Sequence, residues 1–302
     1  MKPALPRDPL PHNTENTPSG QPRCDTIGGL AVDTRRCIMG LNDPQSARNP
    51  PIEVPMRAPL LALCVISAAM PAHSAAQKSD DFCRAASGVD MVDTSQIVTP
   101  EFLDKMREIG VTTIGRYFDY EDETITGKRL RAEELPLIAS YGMSLVVVFQ
   151  HNNNLAETFV DWKNRGPADA REALKLAAQF GQPDNGAIYF GVDGDFVGNG
   201  AIFHTDDVLG YFEEVNRTFD AAGVSYPVGV YGSGETCFTL IGEGLAGFCW
   251  LSHSHGFTGT PEALSAGAFD IEQFLHGTCG GRPVDFNKVN EGVTAFGQWM
   301  PQ

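Results

Sequence analysis

Two aspartates separated by one glycine follow an apolar run in the segment AIYFGVDGDF, residues 187–196. As charged neighbours, Asp193 and Asp195 would repel one another unless solvent, a metal ion or a substrate uses the pair. Such carboxylates push their pKa values apart, so that one stays protonated while the other is ionised. Glycoside hydrolysis requires that division, because one acid protonates the leaving oxygen while a second carboxylate stabilises or attacks the anomeric carbon. The pair therefore predicts a glycosidase-like site that needs no cofactor.

Polar side chains also end most of the other predicted strands. In a barrel of parallel strands, the carboxyl ends and the loops after them line the cavity in which the chemistry takes place. We therefore expect two further acids in the site, at Asp90 and Asp285. The expected substrate-binding residues are Arg116, Tyr117, Gln150, Tyr231, Trp250, Gln273 and Asn287. Among them, the aromatic rings of Tyr231 and Trp250 would offer sugar rings a stacking surface.

Two other functions remain open at this stage. His253 and His255 lie two positions apart in the segment SHSH and could join Asp193 and Asp195 in a metal-dependent hydrolase. Because the sequence offers no third ligand at a fixed spacing, exposed loop histidines are favoured and no metal is predicted. The protein could also bind carbohydrate without cleaving it. A binding protein should tolerate Asp195→Asn, whereas a hydrolase that uses Asp195 should lose its turnover.

Predicted strands and helices alternate from residue 87 onward, and this alternation must position the polar side chains. The predicted strands are 87–92, 112–118, 144–150, 187–193, 228–233, 247–254 and 269–274. The predicted helices are 99–109, 132–142, 167–181, 205–223 and 234–243. The alternation favours parallel strands with helical crossovers, in a closed barrel or an open doubly wound sheet. The chain contains neither GxGxxG after its first strand nor GxxxxGK[ST], which favours an α/β (β/α)8 TIM-barrel-like fold in a single domain, 77–302.

Six short motifs occur in order along this domain: GVDMVDTS, YFGVDGD, GVYGS, WLSHS, IEQF and VDFN. Together they resemble the glycoside-hydrolase-like family known as DUF1906 or Rv2525c-like, over about residues 87–290. That family is similar to the family 25 lysozymes, which hydrolyse the β-1,4 bond between N-acetylmuramic acid and N-acetylglucosamine. The resemblance implies a glycoside hydrolase barrel that acts on cell-wall glycan, such as peptidoglycan or a related amino-sugar polymer.

The resemblance also implies roles for individual residues. Asp193 matches the first acid of the lysozyme DxE motif, and Asp195 falls where the lysozymes carry the glutamate that acts as general acid. The other matching positions are Asp90, Tyr231, Trp250 and Asp285. Aspartate at 195 is one methylene shorter than glutamate, and a misplacement of about 1 Å costs roughly a hundredfold in rate.

The first 76 residues do not read as part of the barrel. Residues 1–55 are rich in proline and small polar residues, and we expect a disordered or over-extended leader there, with translation starting at Met56. Residues 56–76 have the layout of a secretory signal peptide, with an arginine, a short apolar stretch and small residues before a cleavage site after Ala76. The apolar stretch is too short for a permanent membrane anchor. We therefore expect a secreted or periplasmic protein.

Cysteine usage and charge agree with export. Four of the seven cysteines follow residue 76, and four cysteines allow three disulfide connectivities. We favour Cys237–Cys249, which flank one βα unit, and Cys83–Cys279, which would tie the amino-terminal end to the last strand. The formal net charge of −16 argues against nucleic acid as a partner. It fits a neutral or cationic partner, or simply a soluble secreted protein. We expect a monomer whose partner is a polysaccharide or cell-wall glycan.

Overall fold

Eight strands close into one barrel in the part of the chain that the computed structural model describes, namely Cys83, Ala86, 88–122 and 125–302. The strands are β1 Met91–Asp93, β2 Thr113–Phe118, β3 Ser144–Phe149, β4 Ile188–Gly191, β5 Val228–Gly232, β6 Phe248–Leu251, β7 Ile271–Cys279 and β8 Arg282–Val289. The predicted (β/α)8 barrel is thereby confirmed. The expected leader 1–55 and signal peptide 56–76 lie outside the described residues.

Helices connect the strands on the outside of the barrel. They are α1 Pro100–Glu108, α2 Glu134–Ser140, α3 Ala156–Val160, α4 Trp162–Gln179, α5 Thr205–Ala222, α6 Gly234–Gly242 and α7 Thr260–Ala266. The start of α1 has the cap expected from the sequence, because the Thr99 side chain accepts a hydrogen bond from the amide of Phe102. Within the described residues, no helix is both long and apolar enough to cross a membrane.

The last strand departs from the predicted parallel arrangement. Strands β1 to β7 pair in parallel in chain order, but β8 runs antiparallel to both β7 and β1. Only Gly280 and Gly281 separate β7 from β8, which is too short for a helical crossover. Both glycines have positive φ angles, of 57° and 74°, as a tight hairpin turn requires. Because β8 starts at the end where its neighbours finish, it brings Asp285 to the carboxyl end of the barrel.

Side chains alternate between two packing layers along each barrel strand. On β4, Tyr189 packs inside the barrel with Met91 and Trp250, whereas Ile188 and Phe190 pack outward against the helices, as the sequence predicts. A Cβ atom at Gly229 would lie 2.5 Å from the Tyr189 ring, so this large inward side chain requires a glycine on the neighbouring strand.

The carboxy-terminal segment covers the amino end of the barrel. The Tyr189 hydroxyl donates a 2.7 Å hydrogen bond to the Phe296 carbonyl, and Leu145 and Trp299 exchange backbone hydrogen bonds of 2.7 and 3.0 Å. The Phe296 side chain packs into the inner layer. With apolar packing and this segment at the amino end, the polar mouth lies at the carboxyl end.

Both predicted disulfides are present. Cys83 and Cys279 are joined with their Cα atoms 5.3 Å apart, and Cys237 and Cys249 with theirs 5.5 Å apart. The first bond ties the amino-terminal end of the domain to the end of β7. The second joins α6 to β6 within one βα unit.

Candidate active site

A buried carboxylate, Asp93, lies at the centre of the barrel mouth, where β1 ends. Its Oδ1 accepts a 2.8 Å hydrogen bond from the Tyr117 hydroxyl. Its Oδ2 accepts hydrogen bonds from the side-chain amides of Asn287, at 2.9 Å, and Gln273, at 3.3 Å. The three donors come from β2, β8 and β7, so the barrel itself fixes the orientation of this carboxylate.

Asp285 lies beside Asp93, because the two residues are register partners of the antiparallel pair β1–β8. Partial burial raises the pKa of Asp285 to about 7, and the neighbouring carboxylates of Asp93 and then Asp193 add to the effect. At neutral pH, about half of the molecules therefore carry a proton on Asp285 that it can donate. Such a proton is what a general acid needs.

A third carboxyl group, Asp193, enters the mouth from the opposite wall. It follows β4, which lies four strands from β8 around the closed barrel. The Gln150 side-chain amide donates a 3.0 Å hydrogen bond to the Asp193 Oδ2. The backbone amide of Asp193 donates a hydrogen bond of the same length to the Asn153 carbonyl. Burial raises the pKa of Asp193, while the Gln150 hydrogen bond and the Lys128 charge lower it.

Two adjoining clefts open at this mouth, and they share Ser95 and Tyr117 in their walls. The first has a volume of about 370 Å³ and contains Asp93 and Asp285. The second has a volume of about 430 Å³ and contains Asp193. Each cleft is of the size that small-molecule sites usually have.

Several predicted substrate-binding residues hold the acids in place. Gln273 is the central one, because its Oε1 accepts a 2.9 Å hydrogen bond from the half-buried Tyr231 and its Nε2 donates to Asp93. Asn287 is fully buried and links Asp93 to Trp250. The structure thus brings Tyr117, Gln150, Tyr231, Gln273 and Asn287 together around the carboxyl cluster.

Asp90 does not belong to this mouth, and the expectation that it is an acid of the site is wrong. It precedes β1 at the amino end of the barrel, where it is exposed and its Oδ2 accepts a 3.1 Å hydrogen bond from the Val289 amide. The strand is only three residues long and runs from Met91 to Asp93. The first-strand aspartate at the carboxyl end is therefore Asp93.

The sequence predicts that Arg116 and Trp250 bind substrate, but the structure places neither of them in the mouth. Arg116 is fully buried and points outward, where it forms a 2.8 Å ion pair with Glu134. Trp250 is 1% exposed, and its indole Nε1 donates a 2.8 Å hydrogen bond to the Asn287 Oδ1. Its ring meets that of Tyr231 edge to face at 5.5 Å. Neither side chain offers a surface to a substrate, because both are enclosed by protein.

Asp195 turns away from Asp193 toward the loop before α7. Its two carboxylate oxygens accept hydrogen bonds from the backbone amide of Thr258, at 2.9 Å, and from the hydroxyl of the same residue, at 3.0 Å. It contributes to neither cleft of the mouth. In this arrangement Asp195 ties two loops together, and the assignment of acid to this residue stays a prediction.

The histidines near β7 pack against one another. The His253 ring lies 5.0 Å from that of His255 and 5.6 Å from that of His276, both edge to face. Burial lowers the pKa of His253, and the two neighbouring histidines lower it further. Throughout the described residues, no group of three or more histidine, cysteine, aspartate or glutamate side chains has an arrangement that could hold a metal ion.

Sequence reasoning missed two members of the site. Asp93 was visible only as one of two aspartates in GVDMVD, and the choice between them depended on where a three-residue strand begins. Lys128 lies in a segment whose charges suggest a solvated loop, yet it is 6% exposed and lines the second cleft. Only the packing of that loop against β2 and β3 reveals it.

A closed (β/α)8 barrel with a cluster of carboxyl groups at its mouth is an arrangement that glycoside hydrolase-like proteins have. The chain belongs to the family described as Rv2525c-like, glycoside hydrolase-like domain, whose family model matches residues 104–295.

Two curated proteins of one bacterium are similar to this chain. The chain is 30% identical over 211 residues to the uncharacterized protein YbfG of Bacillus subtilis (strain 168), covering 67% of this chain and 28% of that protein. It is 27% identical over 164 residues to the uncharacterized protein FadG of the same organism, covering 54% of this chain and again 28% of the relative. The chain thus spans little more than a quarter of the length of these curated relatives.

Solved structures share the fold. The Tat-secreted protein Rv2525c of Mycobacterium tuberculosis, in complex with L-tartrate, matches with a TM-score of 0.56 and 20% identity, covering 70% of this chain and all of that one. An uncharacterized protein of B. stearothermophilus matches with a TM-score of 0.50 and 17% identity, over 70% of this chain and 100% of that chain.

Proposed function

We propose that this protein is an exported glycosidase that hydrolyses a cell-wall glycan at the mouth of its barrel. The observation that carries the proposal is the carboxyl cluster, in which Asp285 carries a raised pKa beside Asp93 and opposite Asp193. Two carboxyl groups with different protonation states on opposite sides of a scissile bond are what glycoside hydrolysis needs.

In the proposed mechanism, Asp285 donates its proton to the glycosidic oxygen as the bond from that oxygen to the anomeric carbon breaks. Asp193, on the opposite wall, accepts a proton from a water molecule whose oxygen bonds to the anomeric carbon. In its ionised form, which three hydrogen bonds favour, Asp93 places a negative charge near the positive charge that develops on the sugar. Water attack from the opposite wall inverts the anomeric configuration.

This assignment moves the acid from Asp195 to Asp285. Both oxygens of Asp195 are engaged by Thr258, and a general acid must reach the leaving oxygen within hydrogen-bond distance. Asp285 lines an open cleft, and its pKa is raised to about 7, as the role of general acid requires.

The proposed substrate is an amino-sugar polymer of the cell wall, such as peptidoglycan. Family membership supports a glycan, and the net charge of −16 suits a neutral or cationic polymer better than nucleic acid. Two disulfides and the secretion of Rv2525c support export, because such bonds persist in oxidising compartments.

Purified wild-type protein and the Asp193→Asn variant test the proposal. Both are incubated with peptidoglycan and with soluble β-1,4-linked N-acetylhexosamine oligomers, and released reducing ends and the anomer of the first product are measured. We expect release by the wild type, an inverted product, and a loss of at least a hundredfold in the variant. Retention of both proteins on the glycan without release of reducing ends would instead identify a carbohydrate-binding barrel.

A further inference from the structure

Lys128 is a buried cation in the wall of the second cleft. Its side chain is 8% exposed, and its Nζ donates a 2.7 Å hydrogen bond to the backbone carbonyl of Gln150. The same Nζ lies 5.1 Å from the centre of the Tyr117 ring, whose face attracts a cation. The ammonium group is therefore held in one place at the mouth rather than left free in solvent.

A buried carboxylate behind the cleft balances this charge. Asp119 is fully buried, and its Oδ1 interacts with His151 Nδ1 at 2.7 Å and accepts a 2.8 Å hydrogen bond from the Tyr120 amide. Its Oδ2 has no hydrogen-bond partner among the described residues and lies 3.7 Å from Lys128 Nζ. The pair is thus an ion pair without a direct hydrogen bond, which leaves the ammonium able to interact with the cleft side as well.

Gln150 connects Lys128 to Asp193. Its backbone carbonyl accepts the hydrogen bond from Lys128, and its side-chain amide donates the 3.0 Å hydrogen bond to the Asp193 carboxylate. Gln150 therefore contacts Lys128 through its backbone and Asp193 through its side chain.

We propose that Lys128 is a positioning residue for Asp193, which it serves by anchoring Gln150 and by placing a positive charge in the wall that the two side chains share. This inference rests on the proposed function, in which Asp193 accepts a proton. The electrostatics agree, since the charge of Lys128 lowers the pKa of Asp193 that burial raises. Burial lowers the pKa of Lys128 itself, while Asp119 and then Asp193 raise it.

Other charged groups act on the same carboxyl cluster. Asp193 interacts electrostatically with Asp93, Asp285 and the Tyr231 hydroxyl across the mouth. These groups would be negative when ionised, so they oppose the charged form of Asp193. Among the described residues, Lys128 is the cation whose charge favours the ionised form of Asp193 and so opposes the effect of these groups.

Arg129 provides a matched control. It is the next residue along the chain and, like Lys128, is 6% exposed, but its guanidinium pairs with Glu121 at 3.6 Å and Glu172 at 3.9 Å. It contributes to neither cleft of the mouth. A substitution there perturbs the same loop without removing the charge that acts on Asp193.

The test is a carboxyl ¹³C NMR titration of Asp193 in the full chain, with the resonance assigned by its loss in Asp193→Asn. We expect Lys128→Met to raise the titration midpoint by about one pH unit, and Lys128→Arg and Arg129→Met to leave it near the wild-type value. An unchanged midpoint in folded Lys128→Met would overturn the inference. So would an equal shift in Arg129→Met.

A companion variant covers the case in which Lys128→Met leaves Asp119 unpaired and the protein does not fold. Asp119→Asn/Lys128→Met removes both buried charges, and its midpoint then decides the question in the same way. The titration needs no turnover. Raised midpoints in a protein without hydrolysis would contradict the proposed function and leave the role of Lys128 standing, whereas hydrolysis with an unmoved midpoint would contradict the role of Lys128 alone.

Discussion

Three carboxyl groups share one mouth, and their surroundings differ enough to give them different tasks. Burial raises the pKa of Asp93, and the three hydrogen bonds that it accepts favour its charged form and limit that rise. Asp285 is the register partner of Asp93 and receives no such set of donors. Partial burial raises its pKa to about 7, and the nearby carboxylates of Asp93 and Asp193 add to the effect. Asp285 is the more accessible residue of the pair. Because the two groups titrate together, a measured midpoint belongs to both of them.

This arrangement costs stability at neutral pH, and Asp285→Asn should reveal the cost. The pKa of Asp285 is about 7 in the folded protein and near the ordinary value of 3.8 in the unfolded chain. Between these values the folded state binds more protons, so the free energy of unfolding falls as pH rises through this window and is level above it. Asparagine has no proton to lose.

We therefore expect Asp285→Asn to increase the free energy of unfolding at pH 8 by more than at pH 4.5. Urea unfolding of wild type and variant at the two pH values measures the difference. An equal effect at both would mean that Asp285 titrates with an ordinary pKa in the folded protein.

At the scale of elements, the regular patterns in the sequence predicted the strands and helices and the inward or outward direction of their side chains. The alternation on β4 gave the inward face of Tyr189 and the position of Asp193 after it, because strand periodicity depends only on neighbouring residues. The antiparallel course of β8 depends on a two-glycine hairpin, whose effect on the sheet appears only when the barrel closes. Lys128 depends on the packing of an irregular loop, for which no periodicity exists.

That loop is held by Arg116, which the sequence suggested as a substrate contact. The guanidinium donates to the backbone carbonyls of Gly127, at 3.0 Å, Lys128, at 2.9 Å, and Arg129, at 3.3 Å. It also binds Glu134 through two hydrogen bonds of 2.8 and 3.0 Å. A residue outside the cleft thus places the backbone that carries Lys128.

We expect Arg116→Met to lower the free energy of unfolding by about 3–5 kcal/mol, since it leaves the buried Glu134 carboxylate without its partner. Denaturant unfolding measures the loss. The double variant Arg116→Met/Glu134→Leu should recover part of it, because no unpaired charge remains. A loss below about 1 kcal/mol in the single variant would show that the network contributes little to folding.

At the scale of the whole molecule, the two disulfides close loops of very different length. The sequence separation is 196 residues for Cys83–Cys279 and 12 residues for Cys237–Cys249. In the loop-entropy account, a cross-link restricts the unfolded chain more strongly when it closes a longer loop.

We expect Cys83→Ser/Cys279→Ser to lower the free energy of unfolding by about 2 kcal/mol more than Cys237→Ser/Cys249→Ser does. Both variants should keep the barrel, because its closure depends on strand pairing. Circular dichroism checks the fold, and urea unfolding measures the two losses. The reverse order would mean that local packing at α6 and β6 outweighs loop entropy.

We propose that Asp285, and not Asp195, delivers the proton in glycan hydrolysis. The most direct measurement compares reducing-end release by wild type, Asp285→Asn and Asp195→Asn on one peptidoglycan preparation, with each variant shown to be folded. We expect a loss of at least about a hundredfold for Asp285→Asn and less than about tenfold for Asp195→Asn, whose side chain can still bind Thr258. Full activity in Asp285→Asn with loss in Asp195→Asn would show that Asp195, and not Asp285, is the acid.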